Sequence, residues 1–152
     1  MFKVENKSVK TMSSITAENI KKLDIACKEL SNEDKIRHVG VINNLGKLIA
    51  GGFKAGTSPL IDTDKIAMTY MQMQLDFKMR QELDEVLGPI DYIASRRTKQ
   101  LIISVPIGDN LVLISAEPDA DDKKIIKKAE ELFDDISISE VNLKNKKLFC
   151  KY

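Results

Sequence analysis

Among the residues of this chain, the glycines between positions 40 and 56 have the spacing most similar to that of a known functional motif. A phosphate loop of the G-x-x-x-x-G-K-[ST] type holds phosphate groups with backbone amides and reaches them with its lysine. Gly51 and Gly56 have the required spacing, but Thr57 stands at the lysine position. Pro59 follows, so no helix begins there that would point its amide end at a phosphate. We therefore expect no nucleotide site in this stretch.

The same glycines have a simpler backbone explanation. Gly46 ends the run Asn-Asn-Leu-Gly, which is typical of a hairpin turn whose residues need positive φ. Gly51 and Gly52 lie in the strand-like run that follows, where glycine loosens a strand or allows a helix or a partner to approach its backbone closely. The stretch is therefore predicted to be a hairpin followed by a link to a helix.

The other residues with reactive or metal-binding side chains do not form a recognised catalytic or metal-binding pattern. His38 is the only histidine, so any Ser–His–Asp triad or Cys–His dyad would require it. No motif for a catalytic nucleophile lies near it in the sequence. The acidic residues within 119–122 lack the EF-hand pattern and suit the positive end of a helix dipole. Cys27 and Cys150 are far apart, and Cys27 fits a buried apolar position. We predict no catalytic residue, no cofactor and no metal ligand.

The length and composition of the chain limit the classes of protein to which it can belong. The 152 residues make about one domain, and their 24 basic and 23 acidic side chains nearly cancel, which argues against a nucleic-acid-binding protein. No apolar run has the length of a signal peptide or a membrane span. We expect a cytoplasmic protein with no membrane insertion. Its predicted parts are a polar lead-in over 1–16, one domain over 17–136, and a basic extension over 137–152.

Periodicity predicts an alternation of helices and strands that would position these residues. The order is a helix over 17–31, strands IRHVGVI and KLIAGGF, a helix from 62 or 63 to about Leu87, strands IDYIASRR, QLIISVPI and NLVLISAE, and a helix opening at Pro118-Asp119. Gly88-Pro89 is predicted to stop the long helix. Short polar turns make the strands locally antiparallel. The pattern indicates an α/β (α+β) fold, one sheet with helices on its faces.

The long helix has two apolar faces, whereas a helix lying on the sheet of a monomer needs one. One face carries Ile66, Tyr70, Met73 and Phe77, and the opposite face carries Met68, Met71, Leu75, Met79 and Val86. A second surface must cover the second face, and it belongs either to this chain or to another chain. The Met-rich face suits an adaptable interface. We predict that Met68, Met71, Leu75 and Met79 meet a second copy, with the Tyr70 face as the alternative.

A basic turn, Arg96-Arg97-Thr98-Lys99, joins two of the predicted strands. Guanidinium groups bind carboxylates and phosphates in bidentate pairs, so Arg96 and Arg97 are candidates for binding an acidic partner. A solvated hairpin tip explains the same residues. Both interpretations stay open.

The chain resembles the roadblock/dynein light chain family, within the profilin-like and longin-like group. HVGVINNLGKLIAGG is similar to the first hairpin of that family, with matches at Gly40, Val41, Gly46, Ile49 and Ala50. QLIISVPIGDNLVLISAEPDAD is similar to the following pair of strands and the Pro-led approach to the last helix. The resemblance covers residues 17–136.

The resemblance implies a five-stranded antiparallel sheet of order 2-1-5-4-3, with the long helix on one face and the terminal helices on the other. Family members dimerise through that helix and the third strand, here around Tyr92 and Ala94. They are not enzymes, and many are scaffolds or regulators of small Ras-like GTPases or motor complexes. We therefore expect a non-catalytic homodimeric scaffold or regulatory module for a small GTPase or another protein. The alternative is a small-ligand sensor, with a pocket between the long helix and the sheet lined by Tyr70, Met73 and the sheet glycines.

Overall fold

A five-stranded sheet lies between helices on both of its faces. The computed structural model describes residues 16–134 and residue 136, so most of the predicted lead-in and all of the 137–152 extension lie outside the described residues. The elements in chain order are α1 (Ala17–Ser31), β1 (Ile36–Ile42), β2 (Leu48–Phe53), α2 (Thr63–Gln81), α3 (Asp84–Leu87), β3 (Ile93–Arg96), β4 (Leu101–Ile107), β5 (Asn110–Ala116) and α4 (Asp122–Asp134).

All strand pairs are antiparallel, and their order is β2-β1-β5-β4-β3. This confirms the predicted fold class and strand order. β5 is the central strand and β1 lies next to it, with Val41 opposite Val112 and His38 opposite Ser115. Both strands are almost entirely buried, because helices cover both faces of the sheet there. β3, at one edge, has only four residues.

Alternate strand residues face the terminal helices, α1 and α4, which pack on one face of the sheet. Thr16 begins α1 as its N-cap, since its hydroxyl accepts a hydrogen bond from the amide of Asn19 at 3.1 Å. The main core lies in this layer. Its central side chains are Leu23, Cys27 and Leu30 of α1, Val39, Val41, Ile103 and Ile114 of the sheet, and Ile126, Ala129 and Phe133 of α4.

The long helix α2 lies on the opposite face over a smaller apolar cluster. That cluster consists of Ile42, Phe77, Leu111 and Leu113, with Tyr70, Met73, Ile90 and Ile93 packed at its margin. Gln74, buried at the middle of α2, donates from Nε2 to the carbonyls of Asn43 at 2.8 Å and Asp109 at 3.3 Å. The helix is thereby held to the turns of both central hairpins.

Two glycines of the β1–β2 hairpin are approached by a helix, one from each side. A Cβ added at Gly51, whose φ is +74°, would lie 2.8 Å from Sγ of Cys27 on α1 and 2.2 Å from the carbonyl oxygen of Val39. A Cβ at Gly46, with φ of +78°, would lie 2.8 Å from Cα of Met71 on α2. The expectation that Gly51 permits close approach of a helix matches this geometry.

Three predicted boundaries differ from the structure by three residues or more. The long helix ends at Gln81 instead of continuing to Leu87, because the amide of Leu83 bonds to the carbonyl of Arg80, three residues back, and tightens the turn before α3. β3 begins at Ile93, and Tyr92 precedes it, because Ile90 packs beneath α2 instead of joining the sheet. The last helix begins at Asp122, where Asp121 accepts from the amide of Lys124.

Candidate interaction surface and cavity on the long-helix face

One side of α2 is apolar and exposed. Met68, Met71, Leu75 and Met79, which we call the Met face, are between 54% and 69% exposed. Phe77 on the opposite side is 3% exposed, and Tyr70 and Met73 pack with it against the sheet. Within the single chain, the sheet-facing side of α2 is therefore the Tyr70 side.

The apolar surface continues beyond α2. Leu83, Val86 and Leu87, in and just before α3, are all more than half exposed. Together with the Met face they form a series of seven exposed apolar side chains between residues 68 and 87. Soluble monomers rarely expose large apolar patches, and such patches mark sites of interaction. The series is therefore the strongest candidate interaction surface among the described residues.

The edge strand β3 is a second candidate interaction surface. It pairs with β4 on one side, and no other described strand pairs with its outer edge. Ala94 is exposed within the strand and Tyr92, just before it, is 45% exposed. An unpaired strand edge is a template for pairing with another chain. The two residues predicted for strand pairing are thus placed at an accessible edge.

Arg96 has partners within the chain. Its guanidinium donates hydrogen bonds to the carbonyls of Pro118 and Ala120, and it lies 3.6 Å from a carboxylate oxygen of Asp122. It anchors the turn before α4 to the end of β3. Arg97 is exposed, and its amide donates to the carbonyl of Gln100 in the β3–β4 turn. The two arginines therefore have different surroundings, which their adjacency in the sequence did not indicate.

A cavity of about 80 Å³ lies between the first half of α2 and the sheet. Tyr70 and Met73 line it, as expected for a ligand pocket, but none of the glycines does. The other lining residues come from β1, β2, β4, β5, α2 itself, the link before α2 and the β3–β4 turn: His38, Phe53, Leu60, Ile61, Ile66, Thr69, Gln100, Ile102, Leu113, Ile114 and Ser115. Most of them are apolar.

His38 is one of the polar residues that line this cavity. Its Nδ1 lies 3.2 Å from the carbonyl oxygen of Leu113, which can only accept, so Nδ1 carries the proton in the neutral ring. Nε2 then accepts from the hydroxyl of Tyr70 at 2.8 Å. The ring meets Phe53 edge to face at a centroid distance of 4.7 Å. Burial lowers the pKa of His38 below its ordinary value of 6.5 and raises that of Tyr70.

Ser115 was missed by the sequence reasoning. It is 8% exposed, and its Oγ is buried without a hydrogen-bond partner among the residues that the structure describes. The alternation of β5 carried a signal, since a serine that shares a face with Leu111 and Leu113 is a polar group on an apolar surface. Gln74 was also missed, because its polar side chain was assigned to a polar flank of α2 and not to the side that faces the sheet.

The described part of the chain has neither a metal-binding cluster nor a membrane-spanning helix. Across residues 16–134 and 136, no three His, Cys, Asp or Glu side chains are grouped so that they would hold a metal ion. No helix in these residues has both the length and the apolar character needed to cross a membrane.

Several solved structures have the same fold. The roadblock/LC7 domain from Streptomyces avermitilis matches with a TM-score of 0.60 at 11% identity, covering 75% of this chain and 93% of that chain. The gliding protein MglB from Thermus thermophilus matches with a TM-score of 0.66 at 14% identity, over 81% and 93%. An MglB with a tetrameric arrangement matches with a TM-score of 0.69 at 13% identity, over 83% and 93%.

These likenesses confirm that the chain has a roadblock-like fold. No curated protein matches the sequence. The sequence model of one family, described as a family of unknown function (DUF6659), matches residues 15–147. The match spans the whole of the sheet and its helices, and the chain therefore belongs to the DUF6659 family.

Proposed function

We propose that this protein is a non-catalytic homodimeric module that serves as a scaffold or regulator for other proteins. The observation that carries the proposal is the Met face of α2, which stays exposed while the other side of the same helix packs on the sheet. Two copies of α2 lying across a two-fold axis would cover each other's Met face. Methionine side chains are flexible and pack well at such self-complementary surfaces.

We further propose that β3 pairs with its copy across the same two-fold axis. Residues around Tyr92 and Ala94 would extend the sheet from one subunit into the next and remove the exposed edge. Burying the four side chains of the Met face contributes at most about 6–12 kcal/mol per subunit before the cost of association, at about 1.5–3 kcal/mol each. The tetrameric arrangement of one MglB supports association as a property compatible with this fold.

The partner class is proposed from the roadblock resemblance, which implies small Ras-like GTPases or larger assemblies. In this proposal the dimer presents a surface to such a protein and carries out no chemistry itself. The exposed Arg97, beside Arg96 at the β3–β4 turn, is proposed to contact acidic groups of that partner. A pull-down from native cell extract, with wild type and Arg97→Glu as baits, tests this: a specific partner should be lost with the variant.

The dimer is tested by light scattering at micromolar concentration. The wild type should have twice the chain mass of 17.1 kDa, and Leu75→Asp should have the single-chain mass. Leu75 is 59% exposed in the single chain, so the variant should stay folded. Ile25→Asp is a matched control, because Ile25 is 60% exposed on α1, on the other side of the sheet. A monomeric wild type would defeat the proposal, and an unchanged dimer in Leu75→Asp would exclude the Met face as its interface.

A further inference from the structure

The cavity between α2 and the sheet has the character of a small-molecule site. The geometry points to binding of one small, neutral, largely apolar molecule that carries a single hydroxyl group, held by Ser115. This adds a ligand to the proposed interaction module. None of the four Met-face residues lines the cavity, so the ligand site and the dimer can fail independently.

The residues that line the cavity indicate that most of the ligand is apolar. Phe53, Ile66, Met73 and Ile102 enclose the space from β2, α2 and β4. Apolar walls with a few polar groups are typical of sites for small molecules. No Asp, Glu, Lys or Arg side chain among the described residues lines the cavity, so nothing there would pair with a charged ligand. The ligand is therefore neutral.

Ser115 supplies the polar contact. Its Oγ is buried, lines the cavity, and has no hydrogen-bond partner within the described residues. Leaving a buried hydroxyl unpaired is unfavourable, and nearly all such groups in proteins are paired. A ligand hydroxyl would pair with Ser115, donating or accepting. The nearby hydroxyl of Tyr70 donates to His38 and keeps its oxygen free to accept a second hydrogen bond.

The volume limits the size of the ligand. The cavity measures about 80 Å³, roughly half of the 150 Å³ that an engineered apolar cavity uses to hold benzene. A molecule with about four non-hydrogen atoms, such as a three-carbon alcohol, fits this space. Leu60 and Ile61, which are about half exposed, lie at the rim and mark the side that opens to solvent.

The test is a titration of the ¹⁵N-labelled 152-residue chain with 2-propanol, followed through its backbone amide resonances. Saturable shifts are expected at residues on the cavity wall, centred on His38, Ile102 and Ser115. Ser115→Ala should bind about tenfold more weakly, since it loses one hydrogen bond to the ligand. Ser104→Ala is the matched control: Ser104 is 6% exposed on the same face of the sheet but does not line the cavity.

Shifts that never saturate, or that spread evenly over the surface, would overturn the proposal and leave water as the occupant of the cavity. Equal binding by Ser115→Ala and the wild type would also overturn it. If Ser115→Ala does not fold, Ile102→Phe decides, because the larger ring fills the cavity. Loss of the saturable shifts in that variant supports the site, and their retention refutes it.

Discussion

The hydroxyl of Tyr70, on the long helix, lies 2.8 Å from Nε2 of His38, on the interior strand β1. The carbonyl of Leu113 fixes the proton on the other ring nitrogen, so this contact requires that Tyr70 donate to a neutral imidazole. A protonated His38 would turn Nε2 into a donor and oblige the Tyr70 hydroxyl to reverse its role. The packing of α2 on the sheet therefore depends on the protonation state of the buried His38.

This linkage predicts that stability falls in mild acid. Burial holds the pKa of His38 in the folded protein below 6.5, its approximate value in the unfolded chain. As the pH falls below about 6.5, the unfolded chain binds the proton first, so the free energy of unfolding decreases until the pH reaches the folded pKa. Urea unfolding of the wild type and His38→Gln, between about pH 8 and pH 5, measures this difference. Parallel pH profiles for the two proteins would contradict the linkage.

Gly51→Ala should be severely destabilising, because the new Cβ would meet the carbonyl of Val39 and the sulfur of Cys27 at positive φ. We expect a loss of at least about 3 kcal/mol in the free energy of unfolding. Gly56→Ala is the matched control: its φ is +81°, but nothing lies within 4 Å of an added Cβ. That variant should lose only the backbone term, about 1–2 kcal/mol. Equal losses in urea unfolding would show that helix α1 does not constrain Gly51.

Gln74→Leu should weaken the attachment of α2 to the sheet. The change removes the donor to the carbonyls of Asn43 and Asp109 while keeping a side chain of similar size. We expect a loss of about 1–3 kcal/mol on unfolding in urea. Gln72→Leu, two residues earlier and exposed on the same helix, should change stability by no more than about 0.5 kcal/mol. A Gln74 variant as stable as the Gln72 variant would refute the role of these hydrogen bonds.

Cys27 should resist thiol reagents in the folded protein. Burial against β2 and the nearby carboxylate of Asp24 raise its pKa to about 12, so the reactive thiolate is scarce near neutral pH. In a Cys150→Ser background, Ellman's reagent at about pH 8 should label Cys27 only after urea unfolds the chain. Stoichiometric labelling at the same rate with and without urea would show that the α1 layer is open.

The sequence predicted the elements of this fold better than their long-range arrangement. Periodicity located the strands and separated the two faces of α2, because both signals are local. The pairing of β1 with β5 came from the family resemblance, since no local pattern specifies which distant strands become neighbours. The surroundings of Arg96 and Ser115 likewise depend on contacts between distant parts of the chain: Arg96 binds the carbonyls of Pro118 and Ala120, and Ser115 lies between β1 and β4. The end of α2 at Gln81 was missed because no glycine or proline marks it.

The interior position of β1 in the sheet has a consequence for the synthesis of the chain on the ribosome. β1 pairs locally with β2, but its other neighbour, β5, is translated only after α2, β3 and β4. At about 5–20 residues per second, synthesis leaves several seconds between the two strands. Throughout that interval a nascent α1–β1–β2 unit exposes the unpaired edge of β1, including Val39 and Val41. On the ribosome, this edge is the site where nascent chains would associate with one another or bind a chaperone, until β5 emerges and completes the sheet.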